Sequence, residues 1–116
     1  MKFKVWDSKL KSFLSEEFYF IDCNGKLHYL NHKEVVSEWI FPVFSTGEID
    51  KNGVELFDRD LAKDPITGDL FEIYSDSNRW TVVNEVGNEY WLSEVLESIE
   101  KIGSKFINPE LLNIGD

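Results

Sequence analysis

Apolar and polar residues alternate in short runs along this chain, and turn signals interrupt the runs often. Successive side chains of a strand point to opposite faces, so a period of two broken by frequent turns specifies a mainly β domain. Lys2–Asp7 sets Phe3 and Val5 against Lys2 and Lys4, which predicts a first strand. Phe18–Ile21 and Leu27–Leu30 form a hairpin across Asn24-Gly25, a pair that permits the positive φ angles of a type I′ turn. Trp39–Phe44 reads as a strand interrupted by Pro42, and so as an edge or a bulge. Asp50-Lys51-Asn52-Gly53 turns into Val54–Phe57. Leu61–Lys63, Leu70–Tyr74, Arg79–Glu85 and Glu89–Leu92 follow as strands, with loops at 64–69, 75–78 and 86–88. Residues 31–38 read as a helical turn or a loop. Ser93 suits the N-cap of one short helix over 93–102, in which Val95, Leu96, Ile99 and Ile102 share a face. Gly103 ends that helix or bends the chain into a last strand at Lys105–Ile107, and a capped turn follows at 108–112. The expected fold is a small, partly open, barrel-like antiparallel sheet with one short helix.

Composition fits one domain over residues 1–116: 42% of the residues are hydrophobic and 15% aromatic, enough for a core of bulky side chains. The net charge of −10 is unevenly spread. Residues 1–43 hold six acids and six bases, whereas residues 44–116 hold 16 acids and six bases, so a soft division into an N-terminal subdomain 1–43 and an acidic subdomain 44–116 is drawn. Nucleic acid is bound chiefly by neutralising phosphate with Lys and Arg, and the acidic part would repel it. The longest apolar run, Trp39–Phe44, is too short to cross a bilayer, and no apolar segment suited to a secretory leader follows the N-terminal lysines. The single cysteine, Cys23, permits no intrachain disulfide; a cytoplasmic setting is expected, with Cys23 inert.

Each candidate site has a simpler role to compete with. Asp50, Asn52 and Glu55 lie in a stretch that superficially suggests a calcium loop, but Gly53 arrives two positions early for an EF-hand. Turn chemistry explains the same residues. Asp58 and Asp60 flank Arg59; on a strand they would share a face and could act as an acid–base pair or hold a divalent cation, or form a solvated hairpin end. His28 and His32 lack a third ligand, so no metal is expected there. Trp6, Trp39, Trp80 and Trp91 suit core or rim positions better than a base-stacking platform. No phosphate-binding loop, zinc-protease motif or nucleophile elbow occurs. No cofactor is expected. The candidate binding surface is Asp50, Asn52, Asp58, Arg59 and Asp60.

Three separated segments, FKVWD (3–7), FSTGEIDKNGVELFDRDLAK (44–63) and GSKFINPELL (103–112), together resemble the YopX-like proteins of phages and prophages in order and spacing. The resemblance implies a small, mainly β protein encoded by a phage or an integrated element, and supplies no activity. Where that family has Gly between two acids, this chain has Arg59, and the pattern around it resembles small SH3-like barrels. The expected function is non-enzymatic: an accessory or regulatory factor that binds a host or phage protein in the bacterial cytoplasm. The alternatives are an acidic mimic of nucleic acid aimed at a host DNA-binding protein, and a nucleic-acid-binding barrel using Lys2, Lys4, Lys9, Lys11 and Arg79. A metal-dependent hydrolase using Asp58 and Asp60 ranks last. No membrane partner is expected, and the edge at Pro42 would suit pairing between copies.

Overall fold

Among the described residues, five turns start at an Asp or Asn whose side-chain oxygen collects two backbone N–H groups further along. The computed structural model describes residues 2–76 and 78–111. The chain divides into two compact units, Met1–Phe44 and Ser45–Asp116.

In the first unit, β1 (Phe3–Asp7) pairs antiparallel with β2 (Ser12–Leu14) through a turn in which Asp7 Oδ1 accepts the N–H groups of Lys9 and Leu10. A 3-10 turn at Glu16–Phe18 leads into β3 (Tyr19–Ile21), which pairs with β4 (Leu27–Tyr29). Residues 31–38 form a loop with one isolated bridge, His28 to Glu34. The long strand β5 (Ile40–Ile49) then pairs through its first half with β1, Pro42 opposite Val5. No described strand lies on the other side of β5 at that point, which is the edge position a proline tolerates. Val5, Trp6, Leu27 and Val43 are buried.

In the second unit the end of β5 pairs with β6 (Glu55–Phe57). A five-stranded antiparallel sheet follows, curled into a partly open barrel: β7 (Asp60–Lys63), β8 (Leu70–Asp76), β9 (Arg79–Asn84), β10 (Glu89–Trp91) and β11 (Glu100–Ser104), in the order β10-β9-β8-β7-β11. One helical turn, α1 (Leu92–Val95), connects β10 to β11. Leu56, Ala62, Phe71, Ile73, Val82, Leu92 and Ile99 make one buried cluster with Trp80 and Leu96 packed against it. The mainly β, antiparallel, barrel-like architecture with one short helix is the one that the alternation implies.

Several local expectations are corrected. The hairpin at Asn24-Gly25 is not type I′: only Gly25 has positive φ (81°), and its N–H donates to Asp22 O. The turn starts earlier because Asp22 Oδ1 accepts the N–H groups of Asn24 and Lys26 and fixes a three-residue loop closed by a left-handed glycine. The helix over 93–102 is one turn long. Its N-cap is Trp91, without a side-chain cap, and residues 100–104 are strand. Gly103 lies inside that strand, where the register shifts after Lys101; a bulge disguises the strand as helical periodicity. A Cβ there would stand 2.5 Å from Asn108 Oδ1, so the glycine serves close approach. Lys105–Ile107 is turn rather than strand. Strand β2 has no counterpart among the expected elements. The expected terminal turn reaches Leu112, and the 75–78 loop includes Ser77; both residues lie outside the described ones.

Candidate functional site

Asp58, Arg59 and Asp60 form the tight turn from β6 to β7. Arg59 takes φ +66°, the left-handed conformation that glycine adopts without penalty. Strand alternation therefore does not apply, and the two carboxylates do not form the paired face expected of i and i+2 on a strand. The backbone at Arg59 is held from both sides: its N–H donates to Ile73 O at 2.7 Å, and its carbonyl accepts from Lys105 N at 2.8 Å.

The charges of this turn extend into a network. Arg59 Nη1 lies 2.7 Å from Glu72 Oε2, and Lys105 Nζ lies 3.2 Å from Glu72 Oε1. Lys101 Nζ lies 3.0 Å from Asp60 Oδ2, the same oxygen that accepts the Phe57 N–H at 2.7 Å. Asp60 and Glu72 are buried, at 2% and 3% exposure, so their partners offset a large desolvation cost. Asp58 Oδ1 is buried, 3.9 Å from Arg59 Nε and without a hydrogen bond. Burial pushes the Asp58 carboxyl above its ordinary range, against the pull of Arg59. Three acids meet three bases here, and the group is neutral.

Sequence reasoning missed Glu72, Lys101 and Lys105. Glu72 carried a misleading signal: between Phe71 and Ile73 it fits the alternation, which reads as an acid on a solvated face. The lysines carried none.

Asp50 is not a surface group. It is 4% exposed, and its carboxylate accepts N–H groups from Asn52, Val54 and, across to β11, Lys101. Burial would raise its pKa, but these three donors outweigh it and hold the carboxyl below its ordinary value. Asn52 is exposed and reaches Glu100 Oε2 at 3.4 Å. The stretch that suggested a calcium loop is a hairpin bolted to β11. Among the described residues no three His, Cys, Asp or Glu side chains stand close enough to share a metal ion.

His28 and His32 meet over Phe20, whose ring stacks on His28 at 4.9 Å and meets His32 edge-on at 5.4 Å. His28 Nε2 lies 2.8 Å from Asp22 Oδ2, and its Nδ1 faces the His32 carbonyl at 3.3 Å. Both ring nitrogens face acceptors, an arrangement that only the imidazolium satisfies. The Asp22 bond raises the His28 pKa, while the Lys26 N–H, followed by His28, lowers that of Asp22.

The most open chemistry lies at β10. Trp91 is 52% exposed, and the Arg79 guanidinium stacks 3.9 Å above its ring. This stack borders a cleft of about 350 Å³ lined also by Trp80, Leu92, Leu96, Ser93, Thr46 and Glu48. It borders as well a more polar cleft of about 290 Å³ lined by Asp76, Thr81, Glu89, Tyr90 and Glu94. The Tyr74 hydroxyl donates to Glu89 at 2.7 Å, which pushes the phenol pKa up to about 12 and fixes the carboxylate. Of the four tryptophans, Trp6 is core, Trp80 packs on the core cluster, and Trp39 and Trp91 are rim residues under Lys9 and Arg79.

A family model described as YopX protein matches residues 2–113. No curated protein matches the chain. Among solved structures, the crystal structure of the protein yopX from Bacillus subtilis is similar, with 19% sequence identity and a TM-score of 0.63. The match covers 96% of this chain and 97% of that one. At that identity the likeness bears on the fold alone.

Proposed function

Because the chain belongs to the YopX protein family, we propose that it is a non-enzymatic accessory protein, encoded by a phage or prophage, that binds another protein in the bacterial cytoplasm. The exposed Trp91 cleft carries this reading. A half-exposed tryptophan beside an apolar hollow is what a protein interface offers as an anchor point. Of the charged residues that would otherwise invite a catalytic reading, Asp60 and Glu72 are paired with lysine and arginine and Asp50 binds backbone, while Asp58 keeps one buried oxygen without a hydrogen bond. No described helix is long and apolar enough to cross a membrane.

The same burial weakens the mimic reading. Asp50, Asp60 and Glu72 are buried and bonded, so they cannot stand in for phosphates on a surface. One observation favours direct nucleic-acid binding: Lys4 and Lys9 of the first unit lie over the rings of Phe13 and Trp39 at 5.2 and 3.7 Å. A flat gel shift at low salt would remove that reading, because phosphate contacts are strongest there.

The test is a tagged pull-down from host lysate, with and without nuclease, using the wild type and Trp91→Ala. The expected result is a protein that survives nuclease and is lost with the variant. Enrichment that vanishes with nuclease would make nucleic acid the ligand, and no enrichment above control would end the protein-binding reading.

A further inference from the structure

We propose that the paired clefts at β10 take a basic, extended segment of the partner, one large apolar side chain entering the Trp80–Leu96 hollow and a neighbouring Lys or Arg entering the acidic one. The inference rests on the protein-binding reading and specifies its ligand.

Size comes first. About 350 Å³ is at the low end of ligand cavities, enough for one or two large side chains. Trp, Leu and the methyl-bearing Thr46 dominate the lining, beside Glu48, Ser93 and Arg79, so the occupant of this hollow is mainly apolar. Charge decides the rest. Among the residues that line the two clefts, Arg79 is the one base, against Glu48, Asp76, Glu89 and Glu94. Arg79 also lines both clefts, its guanidinium laid on the Trp91 ring. Its guanidinium occupies the place a partner's cation would take, over an aromatic face with carboxylates beside it. Displacing it exchanges one cation–π contact for another.

Geometry favours an extended segment. β10 is the outer strand of its sheet, and among the described residues no strand pairs with its far side. The opposite edge is closed differently: at β11 the Asp50 turn engages Lys101 N–H, and Lys51 N–H donates to Ile99 O. A segment running along β10 passes both clefts, and residues on one face of an extended chain repeat every second position. The motif expected is therefore a large apolar residue with Lys or Arg two positions away.

The experiment selects short random peptides displayed on phage against the immobilised full chain. Enriched sequences are then synthesised with a fluorescent label and titrated at low and high salt. The expected result is enrichment of an apolar residue with Lys or Arg two positions on. Binding should weaken about tenfold or more in Trp91→Ala and in Glu94→Lys, and at high salt. Both positions are exposed, so circular dichroism of the variants should match the wild type. Enriched peptides that are acidic or neutral, or that bind both variants unchanged, would overturn this inference and leave protein binding standing. No enriched peptide alongside a Trp91-dependent partner in the pull-down would overturn the extended segment alone. Failure of both experiments would remove both readings.

Discussion

Arg59 holds a backbone conformation that costs a side-chain-bearing residue about 1–2 kcal/mol, yet its half-exposed guanidinium pairs with the buried Glu72. The two effects separate by substitution. Arg59→Ala loses the ion pair and keeps the strain, whereas Arg59→Gly loses the pair and relieves it. Urea denaturation should therefore place the glycine variant above the alanine variant by about 1 kcal/mol, with both below the wild type. A glycine variant no more stable than alanine would mean the turn relaxes out of the left-handed region without Arg59. His28 gives the second residue-scale expectation. Its pKa is raised by Asp22 above the ordinary 6.5, so its stabilising contribution is full below that pH and fades as pH rises through the folded value. Asp22 is depressed below 3.8, so its contribution is present above that value and fades as pH falls through its folded pKa. The hairpin is therefore held best between about pH 4 and 6.5. An NMR titration should find His28 above 6.5 and find it lowered in Asp22→Asn; a wild-type value at or below the ordinary one would refute the imidazolium arrangement.

At the scale of elements, three hairpins use one device. Asp22, Asp50 and Asn84 each offer Oδ1 to the N–H groups two and four residues on, and each turn closes with a glycine at positive φ. Asp50 alone also engages a second strand through Oδ2. Asp50→Ala should thus lower stability by about 2–3 kcal/mol, against about 1 kcal/mol for Asn84→Ala, measured by thermal and urea unfolding. Equal losses would show that the bond to Lys101 contributes nothing. This device explains what could be read in advance. Gly25, Gly53 and Gly87 mark the turns in the sequence, so β3, β4, β6, β9 and β10 were legible nearly to their ends. β11 was not, because its bulge at Lys101–Gly103 breaks the period of two and leaves Val95, Leu96, Ile99 and Ile102 in helical spacing. The site fared similarly. Asp58, Arg59 and Asp60 were visible as neighbours in the chain, but Lys101 and Lys105 join them from a distant part of the sequence. The Arg79–Trp91 stack is a contact between β9 and β10, and no local pattern announces it.

For the molecule as a whole, acids outnumber bases by 22 to 12. The ion network around Glu72 and Asp60 is neutral, so the net charge of −10 sits mainly on exposed acids such as Glu48, Glu94 and Glu97. Self-repulsion among exposed charges is screened by salt, and buried pairs are screened far less. Raising sodium chloride from low to physiological concentration should raise Tm by a few degrees in calorimetry; a falling Tm would mean that attraction among the charged groups outweighs repulsion. Membership of the YopX family accounts for the fold of such a molecule and names no ligand; the surface at β10 is the one proposed for it. The hairpin turns also govern how the molecule ages. Asn24-Gly25 and Asn52-Gly53 are pairs in which the glycine nitrogen can attack the asparagine side-chain carbonyl, expel ammonia and leave isoaspartate after ring opening. In both turns that nitrogen is engaged, its N–H bonded to Asp22 O or Asp50 O at 3.0 Å, so deamidation waits for the hairpin to open. The Asn52 turn is fastened to β11 and the Asn24 turn is not, so stored protein should acquire its isoaspartate first at Asn24, a chemical clock wound by the same hydrogen bonds that shape the fold.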